Sequence, residues 1–193
     1  MEIHGGIKKG MIIGLTGPNA SGKGEVARYL AAKGFKYYSL SDIIREETKK
    51  LGIAASRENL ILTGNALRKK YGPPVLAARI KKRLKGAAIV DSIRNTGEIE
   101  ELRKLKDFVL LGIDAPVKVR FGRLRKRRRA GDSKSLKELI LHEVRENSAR
   151  STDQQLSRCM KKADRIIGND GSLEKLHKKI EGFLNEKKQA ELG

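Results

Sequence analysis

Residues 11–33 read MIIGLTGPNASGKGEVARYLAAK, and this stretch decides the fold. Met11–Thr16 is a compact apolar run of the length of a buried strand. Gly17-Pro18-Asn19-Ala20-Ser21-Gly22-Lys23-Gly24 follows without a gap and matches G-x-x-x-x-G-K. From Glu25 to Lys33 the spacing turns helical, with Val26, Tyr29 and Leu30 on one face and Gly34 as the stop. Strand, glycine-rich turn and helix in direct succession are the arrangement that a phosphate-binding loop requires. Glycines let successive backbone amides curl around phosphate oxygens, and the helix N-terminus adds positive potential. Lys23 then neutralises the outer phosphates. The expected nucleotide-binding residues are therefore Gly17, Pro18, Asn19, Ala20, Ser21, Gly22, Lys23, Gly24 and Glu25. Where the motif ordinarily continues with Ser or Thr, this chain has Gly24 and then Glu25, a carboxylate that phosphate repels unless a cation intervenes.

Outward from this stretch, short apolar runs alternate with amphipathic ones. Phe35–Ser39, Ala87–Asp91, Phe108–Ile113 and Arg165–Ile167 read as further strands. Between them the spacing predicts a helix capped by Ser41 and running through Lys50, then a helix over Ser56–Lys70 and, after an interruption at Tyr71–Pro74, a helix to Lys85. It also predicts Glu98–Leu105, a basic helical region from Pro116 to Met160 broken at Ala130–Ser133, and a terminal helix over Leu173–Leu184. Such alternation implies a parallel sheet covered on both faces, with ligands beyond the carboxyl ends of its strands. Asp91 ends an apolar strand at that edge, a position from which an acid reaches metal-bound water. Lys118 to Arg129 holds eight cations in twelve residues. Arg120, Arg123 and Arg127, spaced three and four apart, share one face.

Composition narrows the class. Of 193 residues, 43 are Lys or Arg and 23 Asp or Glu, a net charge of +20 that points to polyanionic partners. Aromatic residues make up only 4% and Trp is absent, so a stacking platform for single-stranded bases is poorly supplied. One cysteine, Cys159, excludes an internal disulfide framework and a Cys-rich zinc site, and His4, His142 and His177 are too scattered for metal-ligand spacing. These four side chains read as structural. With no membrane-spanning apolar run and no secretory signal in the first ten residues, the expectation is a cytoplasmic protein with no membrane partner.

Several segments resemble the nucleotide-kinase superfamily. Residues 39–45, SLSDIIR, resemble the S-T-G-D-x-L-R segment of adenylate kinases and the D-A-D-x-x-A-R segment of dephospho-CoA kinases, and GLTG at 14–17 also resembles the latter. Residues 91–94, DSIR, resemble the D-G-F-P-R segment of adenylate kinases, and Asp114-Ala115-Pro116 their D-x-P before the lid. Gly24 has a counterpart in the Gly-Lys-Gly-Thr of adenylate kinases, whereas Glu25 in place of the threonine is a departure. Arg145 and Arg150 resemble the pair after the lid, and Asn169-Asp170-Gly171 is placed like the loop that brackets adenine. Arg68 lies where these kinases keep acceptor-binding helices, although a lone arginine there reads as surface. Over nearly its whole length the chain is similar to an archaeal family of small nucleotide-kinase-like P-loop proteins and to the kinase-like N-terminal half of deoxycytidylate deaminase-type proteins. VDSIRN, IDAP, RENS and residues 163–176 carry that similarity. No H-x-E and no P-C-x-x-C is present, which excludes deaminase chemistry.

The resemblance implies an α/β, three-layer P-loop NTPase fold with a five-stranded parallel sheet and a helical lid. It implies one domain over 1–193, the lid inserted at roughly 118–150 and the tails 1–10 and 186–193 frayed. It further implies an ATP-dependent nucleotide kinase moving the γ-phosphoryl of Mg²⁺-ATP to a small phosphorylated acceptor, a (d)NMP or a dephospho-CoA-like molecule. The catalytic set would be Lys23, Asp42, Arg45, Asp91, Arg94, Arg123 and Arg127. Mg²⁺ would be held by Asp91 through water, with Asp42 a second candidate, and Asn169 would lie against the base. Two alternatives stay open: a P-loop ATPase acting on RNA or DNA, favoured by the charge, and a non-catalytic nucleotide sensor, suggested by Glu25. The sequence carries no signal for oligomeric state.

Overall fold

A computed structural model describes residues 10–128 and 132–190. Its first strand, β1 (Ile12–Thr16), is buried along its whole length. It is followed in chain order by β2 (Lys36–Ser39), β3 (Ala88–Asp91), β4 (Phe108–Asp114) and β5 (Arg165–Gly168). All pairings are parallel, in the order β2-β3-β1-β4-β5, with Gly14 opposite Val90 on one side and Leu110 on the other. The helices are α1 (Lys23–Ala32), α2 (Leu40–Lys50), α3 (Arg57–Tyr71), α4 (Val75–Lys81), α5 (Thr96–Leu102), α6 (Val117–Arg127), α7 (Leu136–Arg145), α8 (Leu156–Lys161) and α9 (Leu173–Gln189).

The two-residue period of a strand splits the sheet's side chains between two cores. Ile13, Leu15, Leu111 and Ile113 meet Val26 and Leu30 of α1 and Leu176, Ile180 and Phe183 of α9. Ile12, Val90 and Leu110 meet Ile43 of α2, Leu76 of α4, Ile99 of α5 and Cys159 of α8 on the opposite face. Gly14 belongs to the second face, where a Cβ would lie 2.7 Å from the Phe108 ring and 2.8 Å from Ile93 Cδ1, so only glycine lets the layers close. Helices on both faces of a parallel sheet form the three-layer P-loop α/β fold. The chain leaving β1 crosses toward β2 while the chain leaving its neighbour β3 crosses the other way toward β4, so the crevice opens beyond the ends of β1 and β3.

Several boundaries differ from the sequence expectation, each for a local reason. Ser39, extended at φ −132°, caps α2 by accepting Ser41 N at 3.2 Å, so Ser41 lies within the first turn and is not the cap. A capping box between Asn95 and Glu98 starts α5 at Thr96 rather than at Glu98, and the helix ends at Leu102. α4 stops at Lys81 instead of Lys85, and Phe35 precedes β2 instead of opening it. The basic region divides into three helices. Between α7 and α8 the chain turns back on itself, bridged at Asn147 and Gln155, and Asn95 Nδ2 clasps it through Ser151 O and Asp153 O at 2.6 and 2.7 Å. The C-terminal segment is helical through Gln189, with Glu186 paired to Arg165. Residues 1–9, 129–131 and 191–193, and with them His4, Arg129 and the first break residues, lie outside the described residues.

Candidate functional site

Between β1 and α1 the backbone takes conformations that side chains resist. Gly17 has φ 142° and a Cβ on it would lie 2.1 Å from Ile113 O. Gly22 has φ 107°, and its Cβ would lie 2.0 Å from Asn169 Nδ2. Both glycines are thus required by the loop's shape. Gly22 caps α1 with no side-chain hydrogen bond, and while Glu25 N donates to Gly22 O at 2.9 Å, the amides of Lys23 and Gly24 at the helix start suit an external anion. Ser21 is fully buried, yet its Oγ has no hydrogen-bond partner among the described residues. Glycine curvature, open amides and an unpaired hydroxyl fit a phosphate chain. Gly24 is open, with nothing within 4 Å of a Cβ. Glu25 pairs with Arg28 one turn on, which sets its charge against a guanidinium.

Lys23 is half-buried, and its Nζ donates to Gly17 O at 2.7 Å and Pro18 O at 2.9 Å. Desolvation, and then repulsion from Arg94, lower its pKa to about 8, with Asp91 and Glu146 opposing. The ammonium therefore sits where an anion would restore its preference for the charged form. The arginines of α6 share one helix face, as their spacing requires, and that face meets the same loop. Arg120 donates to Ala115 O at 2.8 Å and Asn19 O at 3.4 Å and pairs with Glu143 of α7. Arg123 donates to Ala20 O, Ser21 O and Asn169 O at 3.3, 3.2 and 2.8 Å. Arg127 bonds Asn19 Oδ1 at 3.2 Å and Asp132. Asn169 is buried and donates to Ser21 O at 2.8 Å, so its side chain supports the loop rather than standing free beside a base.

On the other side of the crevice, Asp91 is held twice. Oδ1 accepts Ser92 N at 2.5 Å and Oδ2 accepts Tyr37 Oη at 3.0 Å. Burial and the Asp91 charge raise the Tyr37 pKa, so that hydroxyl stays a donor. Ser92 adopts φ 66°, a left-handed conformation uncommon outside glycine, which turns the chain between Asp91 and Arg94. Arg94 Nη1 meets Glu146 Oε2 at 2.6 Å, and Arg57 Nη2 meets Oε1 of the same carboxylate at 2.5 Å. Burial works to raise the Glu146 pKa and to lower that of Arg94. Their attraction outweighs it, leaving Glu146 below the usual carboxylate range and Arg94 above the usual arginine value. Arg57, Arg94 and Glu146 border a cavity of about 270 Å³ whose wall also carries Arg45, Arg127 and Asp132, with Leu60 and Ile61 on its apolar side.

The structure brings Lys23, Asp91, Arg94, Arg123 and Arg127 to one crevice and places Arg45 on the cavity wall. It does not bring Asp42 into that wall. Asp42 pairs with Arg45 at 3.1 Å, and both side chains are about half exposed (54% and 53%). Arg68 departs from its surface expectation: it is 1% exposed and bonds Glu98 Oε1 through Nε and Nη2 at 2.9 and 2.7 Å. Burial of both partners, 30 positions apart, joins α3 to α5 beneath the cavity. Arg145 and Arg150 are exposed. Cys159 is buried in the second core with its thiol pushed up to about 12 by burial, as a structural cysteine should be. His177 stacks on Tyr29 at 4.3 Å and His142 bonds Ser133 at 2.9 Å. Sequence reasoning missed Arg57, Glu146 and Gln154. The acid of RENS, set among basic residues on the segment that also carried the family resemblance, was the available signal for Glu146.

A model of a family described as an AAA domain matches residues 16–140, which takes in the phosphate loop and α6. A UPF0200 protein of Pyrococcus abyssi is 34% identical over 183 residues, covering 90% of this chain and 95% of the relative. The chain belongs to the UPF0200 family. A further UPF0200 protein, from Sulfurisphaera tokodaii, is 32% identical and covers 90% of this chain and 95% of that one. Among solved structures, shikimate kinase from Aquifex aeolicus aligns with TM-score 0.54 at 17% identity, over 95% of this chain and 100% of that one. The structure titled TT1252 from Thermus thermophilus aligns with TM-score 0.58 at 23% identity, over 93% and 98%. At such identities the likeness concerns the fold alone, a P-loop kinase-like α/β fold. Among the described residues, no helix of this UPF0200 chain is long and apolar enough to cross a membrane.

Proposed function

We propose that the chain is an ATP-dependent phosphotransferase that moves the γ-phosphoryl group to a small phosphorylated acceptor, a (d)NMP or dephospho-CoA-like molecule. The observation that carries this reading is the second cavity. Hydrolysis needs only water beside the loop, whereas a cavity walled by Arg45, Arg57, Arg94 and Arg127 suits an anionic second substrate. The loop amides, Ser21 and Lys23 hold the nucleotide phosphates. Bound ATP with Mg²⁺ supplies the electrophilic phosphoryl group. Among the described residues no group of three or more His, Cys, Asp or Glu side chains forms a ready-made metal site, so the ion's ligands come largely from phosphates and water, with Asp91 reaching it through water. Arg94 sits between the two sites and stabilises charge on the transferred group, while α6, within the expected lid, holds Arg123 and Arg127 against the loop. Asp42, off the cavity wall, favours an acceptor with an already ionised oxygen, for which no general base is needed.

A second reading, an ATPase acting on RNA or DNA, draws on a different surface. Arg125, Lys126 and Arg128 are exposed beside a depression of about 890 Å³ on the outer side of α6. ADP release measured with (d)NMPs, dephospho-CoA and RNA at low and high salt separates the two. Stimulation by a small acceptor, little altered by salt, supports the phosphotransferase. Stimulation by RNA that collapses with salt supports the other.

A further inference from the structure

Among the described residues, two buried side-chain polar atoms have no hydrogen-bond partner, Ser21 Oγ and Gln154 Oε1. The first lies in the phosphate loop. The second belongs to a residue 6% exposed that borders the arginine-walled cavity. The backbone around Gln154 is held at several points: its carbonyl accepts Ser148 N at 2.8 Å, Gln155 N donates to Arg94 O at 2.7 Å, and Asn95 clasps Asp153 O at 2.7 Å. Chain geometry is thus fixed while the amide oxygen is left unmatched. A buried carbonyl without a donor is disfavoured, and an apolar side chain of similar size would suit the fold better. The mismatch makes sense where a ligand supplies the donor. The terminal torsion of glutamine is soft, so the amide turns toward a ligand at little cost.

The geometry points to Gln154 as a specificity-determining residue of the acceptor site, accepting a hydrogen bond from a neutral hydroxyl or amino group on an acceptor whose anionic end lies on Arg45 and Arg94. The acceptor class is therefore a small molecule that combines a phosphate with a neutral donor, as a nucleoside monophosphate does. Sites built around a polar contact discriminate steeply against analogues that lack it, because their own buried group is then left unpaired. The inference rests on the phosphotransferase reading above.

The test measures ADP release with nucleoside monophosphates, their 2′-deoxy counterparts and methyl phosphate, which has the anion and no neutral donor. It compares wild type with Gln154→Leu and Gln154→Met, using melting temperature and binding of a fluorescent ATP analogue to report folding. Wild type should prefer its best nucleoside monophosphate over methyl phosphate by about a thousandfold. In both variants kcat/KM for that acceptor should fall about thirtyfold or more, while the melting temperature holds or rises by about 2 °C. That combination separates recognition from support of the fold, since a structural glutamine would lower the melting temperature. Variants within about threefold of wild-type kcat/KM, or variants that melt well below it, overturn the role of Gln154 and leave the phosphotransferase reading standing. If the ATP analogue binds and no small acceptor is phosphorylated, the phosphotransferase reading falls and this inference falls with it.

Discussion

Replacing Glu146 by alanine tests how the acceptor side of the crevice is held together. The carboxylate is 2% exposed and lies 2.5 Å from Arg57 and 2.6 Å from Arg94, whose side chains are 23% and 22% exposed. Its removal leaves two partly buried cations facing one another with no counter-charge. Breaking a buried ion pair costs about 3–5 kcal/mol, and the residual solvent contact of both arginines places this case near about 3 kcal/mol. For a chain of this length that amounts to a fall of about 6–12 °C in melting temperature at neutral pH. Millimolar inorganic phosphate should restore more stability to the variant than to wild type, because an anion can take the vacated place between the guanidiniums. The pH dependence has a definite sign. Burial tends to raise the Glu146 pKa, but Arg94 and Arg57 lower it below the ordinary 4.5. Its stabilisation is complete above that value and disappears as pH falls through the lowered one, so wild type and variant converge in acid. The assay is thermal denaturation across pH, with and without phosphate. A variant that melts within about 2 °C of wild type at pH 7 and ignores phosphate would refute the bridging role.

Other outcomes follow from the loop. Gly22→Ala puts a Cβ 2.0 Å from Asn169 Nδ2 at φ 107°, so ATP affinity measured by calorimetry should fall at least tenfold, about 1.4 kcal/mol. Lys23, with a pKa near 8, should leave ATP affinity level to about pH 7, halve it near pH 8 and approach a tenfold loss per unit above that, as binding must take up a proton. The free protein should gain stability from pH 8 toward 10.5, where the unfolded chain keeps a proton that the folded one lacks. Gly24→Ser meets no atom within 4 Å and restores the hydroxyl usual after the loop lysine, so Mg²⁺-dependent ATP affinity should improve by about fivefold.

How far the sequence could be read depended on whether a feature was local. The MIIGLT run, the loop and the helix after it are contiguous, and the three-layer parallel fold follows from their order. The α6 arginines are also local, and their three-and-four spacing was enough to put them on the face that meets Asn19, Ala20 and Ser21. Cap positions were less legible: the sequence pointed to Ser41, and only the extended backbone at Ser39 shows that the cap lies two residues earlier. Least legible were pairings across sequence. Arg68 with Glu98 and Arg57 with Glu146 join residues 30 and 89 positions apart, and a lone arginine on a helix looks the same whether it is solvated or buried. The bond of Asn169 was hidden for a related reason: its place after β5 was visible, but the carbonyl it meets belongs to a loop 148 residues earlier.

The central claim is that the γ-phosphoryl group ends on a second molecule held by the arginine-walled cavity. Incubation with γ-labelled ATP, Mg²⁺ and a mixture of nucleoside monophosphates and dephospho-CoA, followed by separation of products, measures this directly. The account predicts label on an acceptor, abolished by Lys23→Ala and reduced about a hundredfold or more by Arg94→Ala. Label recovered only as inorganic phosphate, at a rate indifferent to every small acceptor, would contradict it.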